Sequence, residues 1–496
     1  MMGKSNSLRK DKNTLPFSGR LRVALVVPNF TWCDWDINTR WQFIPYNLCL
    51  LAAMIEPVCE VVIIDANAKE MNAEEFTAKL SQLKPHVVGI TVLMDQYGPA
   101  GHYAAKLVKE FDREIKVVMG GVYATINANN IIDDCNIDYV VVGEGEYVFR
   151  DLVNYFMGKG SIPNKGIVYH GGEKVINCGH SEIIQDLDSL PLPAYHLIDF
   201  SSYVSAFPER RSVDMPLRYP YARIVTSRGC PVGCIFCQVE FISGKRFRGR
   251  SPENVLDEIE WLKKTYGVQS LIFDDDNLFI NRKRAAAIFQ GMIDRGLRMP
   301  WVSIATAAYK LDADLIELMK ESGCEYIDIA VESGCERVLK IIGKPISLQH
   351  AKKVAKKAMK EGIYVAANFV IGFPTETWDE IRETIKFAED IDVDYVKIFA
   401  AMPLPKTKLW HLCAENKCFK YDFSKQSLRW NLGQIETDQF AAGDITILRA
   451  YEWDRINFSS PKKRERTAER MKITEQELWK IRKDTLHNAW SSLNTR

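Results

Sequence analysis

The strongest constraint on the fold is an alternation that runs along the chain twice. Apolar, β-branched runs at 21–27, 59–64, 86–93, 115–119 and 138–142 are separated by helical patterns near 45–55, 73–83, 99–112 and 127–133, and a last helix follows over 146–157. Strands that alternate with helices build a mostly parallel sheet covered on both faces. The alternation restarts at Ala222, with further strands expected at 268–273, 301–305, 326–331, 364–371 and 395–399, the pattern of a partial barrel. The expected architecture is therefore α/β: a polar leader over 1–20, a doubly wound Rossmann-like domain over 21–157, a connector over 158–215, a partial (β/α)6 barrel over 216–402 and a helical region over 403–496. A hairpin turned at Gly171-Gly172 is expected within the connector, over 166–176.

At 496 residues and 47% apolar content, the chain has material for two or three cores. Lys and Arg number 65 against 64 Asp and Glu, so there is no global field to attract nucleic acid, and none is expected as a partner. Twelve cysteines without a secretion signal or a regular disulfide framework fit a reducing, cytoplasmic compartment. No apolar run reaches the ~18 residues of a membrane span, so no transmembrane segment is expected.

Directly after the first strand of the second alternation comes Ser-Arg-Gly-Cys-Pro-Val-Gly-Cys-Ile-Phe-Cys, which carries Cys230, Cys234 and Cys237. A closed structural site for zinc or a cluster takes four protein ligands, whereas three thiolates on one loop leave a coordination position open. A zinc knuckle lacking its fourth ligand, or three unrelated buried cysteines, are the bland alternatives. Later strands end in chemistry-bearing residues: Asp274-Asp275-Asp276-Asn277, Glu332-Ser333-Gly334 and Gly372-Phe373-Pro374-Thr375-Glu376. Carboxyl ends of barrel strands are where ligand-binding groups collect. Arg337, Lys340 and Lys344 read by default as a solvated helix face. In the first alternation the strand ends read Thr91-Val92-Leu93, Gly120-Gly121 and Gly143-Glu144-Gly145-Glu146, where glycines allow close backbone approach to a ligand or simply make turns. The tryptophans of the last third, Trp410, Trp430, Trp453, Trp479 and Trp490, read as core, and its helices as closing the open side of the barrel.

The C-x3-C-x2-C spacing with Phe236 before the last cysteine resembles the signature of the radical S-adenosylmethionine superfamily, and residues 21–157 resemble the cobalamin-binding domain that precedes the barrel in one branch of it. The resemblance implies a 4Fe-4S cluster on Cys230, Cys234 and Cys237, and an S-adenosylmethionine site lined by Phe236, Asp274, Asp275, Glu332, Ser333 and Gly372. It also implies a cobalamin edge lined by Thr91, Leu93, Gly120, Gly121 and Gly143. Many cobalamin domains carry Asp-x-His-x-x-Gly after the first strand; the loop here, Pro28 to Asp36, has no histidine to offer as a lower cobalt ligand.

What the resemblance implies for function is a methyltransferase that activates an unreactive carbon through a 5′-deoxyadenosyl radical and methylates it from methylcobalamin. Its substrate would be a small molecule or a lipid, and its electron donor a carrier such as flavodoxin or ferredoxin. A cobalamin-containing radical cyclase or rearrangement enzyme is the alternative within the same architecture. A cobalamin-binding sensor would leave the cysteine loop unexplained. A methylthiotransferase would need cluster cysteines in the first domain, and Cys33, Cys49 and Cys59 are not set at strand ends in a convergent way.

Overall fold

The computed structural model describes residues 19–32, 43–203, 217–423 and 428–491. Most of the leader, Cys33 to Asp36 of the first loop and the end of the connector lie outside these residues. The chain divides into two compact units: the first takes in 45–184 and 190–198 with the N-terminal strand, and the second takes in 43–44, 185–189 and the described residues from 199 onward.

In the first unit the elements follow as β1 (Arg22–Val27), α1 (Tyr46–Ile55), β2 (Glu60–Asp65), α2 (Ala73–Leu83), β3 (Val87–Thr91), α3 (Gly98–Phe111), β4 (Lys116–Gly120), α4 (Val122–Ile131), β5 (Tyr139–Val141), α5 (Glu146–Phe156), β6 (Ile167–Gly171) and β7 (Lys174–Asn177). The sheet order is β2-β1-β3-β4-β5-β6-β7, with the first five strands parallel. The hairpin expected in the connector is β6–β7, and it extends this sheet as an antiparallel edge. Strand alternation divides the apolar residues between two cores. Ala24, Val26, Val88, Ile90, Val117 and Met119 meet Phe76 and Leu80 of α2 and Ala104 and Val108 of α3 on one face. Val23, Leu25, Val87, Val118 and Val141 meet Leu48 of α1 and Phe149 and Leu152 of α5 on the other. Both faces being buried explains why the strands read as continuous apolar runs. The order reverses between β1 and β3, and ligands of such sheets bind beyond the carboxyl ends at that switch point.

The second unit continues with β8 (Tyr221–Ile224), β9 (Ser227–Arg228), α6 (Val239–Ile242), β10 (Arg248–Gly249), α7 (Pro252–Tyr266), β11 (Ser270–Phe273), α8 (Arg282–Asp294), β12 (Trp301–Thr306), α9 (Ala313–Ser322), β13 (Cys324–Glu332), α10 (Glu336–Ile342), α11 (Leu348–Lys360), β14 (Tyr364–Ile371), α12 (Trp378–Asp390), β15 (Tyr395–Ala400), α13 (Lys408–Glu415), α14 (Ala442–Phe458), α15 (Pro461–Met471) and α16 (Glu475–Ser491). Its main sheet runs β15-β14-β13-β12-β11-β8, six parallel strands in sequential order, the expected open barrel. Helix α7 starts where Ser251 accepts from the Asn254 amide and Pro252 takes the first helical position. Helix α14 attaches to the edge strand β15 through Asn457, which accepts from the Val396 amide and donates to its carbonyl, both at 2.8 Å. Trp430 and Trp453 pack in this region, but Trp479 and Trp490 are 57% and 51% exposed, against the expectation of core. Helix α16 turns those two rings outward while Leu478 and Ala489 take its buried face. No helix among the described residues is long and apolar enough to cross a membrane.

Candidate functional site

The three-cysteine loop lies between β9 and α6 and is held from behind. β9 pairs with β10, and Gly229 (φ +83) passes so close to the Arg246 carbonyl that a side chain there would overlap it. The Gly229 amide donates to Asp276 at 2.7 Å. The loop backbone is also clamped laterally: the Ile235 amide donates to Ile342 O at the end of α10 (3.1 Å), and the Leu409 amide of α13 donates to Ile235 O (2.9 Å).

All three cysteines are partly accessible, whereas Cys49, Cys59, Cys324, Cys335, Cys413 and Cys418 are buried. The Asn277 amide donates to Cys230 Sγ at 3.6 Å and to the Tyr309 hydroxyl at 3.3 Å. Burial pushes the Cys234 thiol up to about 11 and Cys237 to about 12, so iron must displace their protons to bind. No three His, Cys, Asp or Glu side chains among the described residues gather around a single-ion site. A cubane needs no such convergence, because each thiolate ligates a different iron. The donor set therefore fits a cluster better than a lone zinc.

The acidic run after β11 braces this loop. Asp274 pairs with Arg223 of β8. Asp275 turns inward and accepts from the hydroxyls of Thr226 and Ser227, and burial raises it to about 6 against those hydrogen bonds. Behind it, Arg284 of α8 donates to the carbonyls of Thr226 (2.7 Å) and Arg250 (2.6 Å). Sequence reading missed Arg284, whose position i+2 in a helix offers no sign that it reaches under a loop.

Beyond β13, Glu332 has φ +73 at a register irregularity, a strained conformation for a non-glycine residue. Its carboxylate pairs with Lys344 at 2.9 Å, the two side chains being 10% and 11% exposed. Lys344, read as part of a solvated face, is thus buried: the turn after α10 folds it back toward the cysteine loop. Ser333 is fully buried, and its hydroxyl bonds Thr384 of α12 (3.0 Å) and accepts from the Cys335 amide (3.1 Å). Arg337 points away to Glu380.

After β14, Gly372 has φ +87 and sits against Ile445. The amides of Gly372 and Phe373 both donate to one oxygen of Glu376, at 2.7 and 2.8 Å. Glu376 is 1% exposed, and burial raises it to about 8. The ring of Phe373 lies 5.9 Å from that of Phe236, which joins the β14 turn to the cysteine loop. Deeper in the sheet, Lys397 of β15 reaches across to Asp328 of β13 (2.8 Å) and the Tyr326 hydroxyl (3.0 Å), a polar set that strand patterning did not expose.

In the first unit, Thr91 ends β3 buried and accepts from the Asn47 amide of α1 at 2.9 Å, while Leu93 is half-buried beyond it. Gly120 ends β4, and a Cβ there would meet only Val141 Cβ, at an ordinary contact distance of 3.9 Å. Gly121 (φ +96) lies against the Val92 backbone, and a Cβ there would press on its carbonyl and amide. Gly143 (φ +94) is overlaid by His180 and Ser181, which leave no room for a side chain. The absence of side chains at Gly120 and Gly121, next to the switch point, suits the close approach of a large flat cofactor.

Residues 224–388 match the Radical SAM superfamily, and residues 38–153 match the B12 binding domain. An uncharacterized methyltransferase of Pyrococcus horikoshii is 33% identical over 374 residues, 75% of this chain and 79% of its own. The anaerobic magnesium-protoporphyrin IX monomethyl ester cyclase of Rubrivivax gelatinosus is 27% identical over 418 residues, 82% of this chain and 72% of its own. Among solved structures, the cobalamin-dependent S-adenosylmethionine radical enzyme OxsB shares the fold with a TM-score of 0.71 at 14% identity, over 94% of this chain and 72% of that one. The chain belongs to the cobalamin-binding radical S-adenosylmethionine enzymes, whose cofactors are a 4Fe-4S cluster, S-adenosylmethionine and cobalamin.

Proposed function

We propose that this enzyme is a methyltransferase acting on an unactivated carbon of a small-molecule or lipid substrate. The observation that carries the reading is the presence in one chain of a three-cysteine loop and a cobalamin-binding sheet, in a sequence 33% identical to a protein named as a methyltransferase. When bound, the cluster with S-adenosylmethionine supplies hydrogen-atom abstraction, and cobalamin supplies the methyl group.

The chain's own residues position and enclose. Cys230, Cys234 and Cys237 hold the cluster, and the Asn277 amide donates toward the Cys230 sulfur. Asp274 and Asp275 keep the loop in place through Arg223 and the Thr226 and Ser227 hydroxyls. Glu332 and Lys344 offer a carboxylate and an ammonium to the polar end or ribose of S-adenosylmethionine, and Ser333 anchors the turn that strains Glu332 into place. Phe236 and Gly372 offer an apolar edge for its adenine, with the buried ring of Phe373 packed behind Phe236. Thr91, Leu93, Gly120, Gly121 and Gly143 shape the cobalamin edge of the first sheet.

The test is anaerobic reconstitution, iron and cobalt counts, and incubation with trideuteromethyl S-adenosylmethionine and a metabolite extract as the source of acceptor. Deuterium in a carbon-methylated product is the expected result. The similarity to a cyclase at 27% identity favours a second reading, oxidative cyclisation or rearrangement. Deoxyadenosine released with an unlabelled product would select it and reject methyl transfer.

A further inference from the structure

An enzyme that spends an electron at each activation needs a reductant that can reach its cluster, and Cys234 is partly accessible on its loop. Gly233 (φ +72) has nothing within 4 Å of where a side chain would stand. A Cβ at Gly343 (φ +73), the cap of α10, would stand in van der Waals contact with Gly233 and Cys234, and Gly343 is itself exposed. Pro231, on the same loop, is exposed as well. Pro231, Gly233 and Gly343 put no long side chain over this side of the loop, so a docked molecule meets small residues beside the partly accessible Cys234.

Lysines flank the opening on both clamping segments. Lys340 is exposed on α10, two residues before the Ile342 carbonyl that receives the Ile235 amide. Lys408 is exposed at the start of α13, next to the Leu409 amide that donates to Ile235 O. Lys406 is exposed on the turn between β15 and α13, beside Pro405, whose carbonyl receives the Gln238 side chain at 3.0 Å. Neither Lys340 nor Lys408 forms an ion pair among the described residues, in contrast with nearby Lys245, which is committed to Glu240 at 2.8 Å, and Lys344, which is committed to Glu332. The charge is local, for the chain as a whole is nearly neutral at a formal +1.

We infer that the rim formed by Pro231–Gly233, the end of α10 and the start of α13 is the docking face for an acidic, low-potential one-electron carrier protein, steered by Lys340 and Lys408. Small contacts guided by complementary charge are the habit of electron-transfer encounters, which must form and dissociate quickly. The electron count is simple: the reduced carrier loses one electron and the cluster held by the three cysteines gains it. This inference rests on the reading of that loop as an iron–sulfur site.

An acidic flavodoxin serves as the probe, with dithionite as the protein-free reductant. In the reconstituted holoenzyme, K340E/K408E is expected to lower flavodoxin-driven deoxyadenosine formation at low salt by about tenfold or more. Dithionite-driven formation should stay within about twofold of wild type, since neither lysine contacts the cluster or its ligands. Raising salt to ~0.5 M should bring wild type down toward the variant, because screening removes the steering. Binding of oxidised flavodoxin, followed by calorimetry, should weaken in parallel and requires no turnover. Unchanged flavodoxin binding and flavodoxin-driven rate in the variant would overturn the docking face, and so would equal losses with both reductants. If wild type forms no deoxyadenosine even with dithionite, the functional reading fails, and the calorimetric comparison still decides whether the rim binds the carrier.

Discussion

At the scale of single residues, the site is built from buried polar groups whose energetics can be measured without knowing the substrate. Glu376 takes two amide hydrogen bonds while burial raises it from 4.5 to about 8. The folded state therefore holds this proton to higher pH than the unfolded chain. Stability from the group is present below the unfolded value and is lost as pH rises through about 8. Glu376→Gln, which cannot ionise, should gain thermal stability relative to wild type between pH 5 and pH 9; a difference in melting temperature that does not move with pH would refute this. The Glu332–Lys344 pair gives a second case. Lys344→Met leaves a buried carboxylate without its partner and should cost about 3–5 kcal/mol in chemical unfolding. Adding Glu332→Gln should recover a large part of that loss, the signature of coupling in a double-mutant cycle.

Single residues also show where reading from the chain alone stops. The cysteine triplet is legible because its chemistry depends on spacing along one loop. The position of Asp274 and Asp275 at a strand end is legible in the chain, but that Asp275 accepts from the hydroxyls of Thr226 and Ser227 is not. Lys344 sits in a charged stretch that resembles any solvated helix end, and only the turn after α10 buries it against Glu332. A side chain's partner across 12 residues or more is set by packing, and local pattern carries no record of it.

Elements explain why certain glycines are where they are. Gly121 and Gly143 both adopt positive φ with neighbours where a Cβ would go, Gly121 against the Val92 backbone and Gly143 under His180 and Ser181. Backbone cannot give way as a flexible side chain can. Gly121→Ala should therefore destabilise the first unit by about 1–3 kcal/mol and weaken hydroxocobalamin retention, as read by absorbance after gel filtration. Gly120→Ala, whose Cβ would meet only Val141 at an ordinary contact distance of 3.9 Å, should leave stability nearly unchanged and disturb only cofactor retention. The strands and most helices of this unit fall close to where periodicity places them. The exceptions are informative: α4 starts at Val122 rather than near 127, and its backbone leaves helical values at Asn127, so its apolar pattern is broken. The C-terminal helices are amphipathic in a way that hides which face is covered, and α16 consequently presents Trp479 and Trp490 to solvent.

For the whole molecule, the division into two compact units predicts separable cofactor loading. The triple variant Cys230→Ala/Cys234→Ala/Cys237→Ala should contain no stoichiometric iron and make no deoxyadenosine, yet take up hydroxocobalamin as wild type does. Its first unit should still be stabilised by that ligand in thermal unfolding, because binding to the folded state alone raises stability by mass action. Loss of cobalamin uptake in this variant would mean that the two units do not load independently.

The chain alone determines that there are two βα alternations, that the first is doubly wound and the second a partial barrel, and that three thiolates stand on one loop with a coordination position to spare. These follow from period, composition and spacing, all local quantities. Tertiary structure decides the rest: the reversal of strand order between β1 and β3, the capture of the β6–β7 hairpin by the first sheet, the burial of Asp275 and Glu376, and the pairing of Lys344 with Glu332. Those depend on which distant segments meet, and contact between distant segments is settled by packing two faces of a sheet at once, which no window of sequence contains.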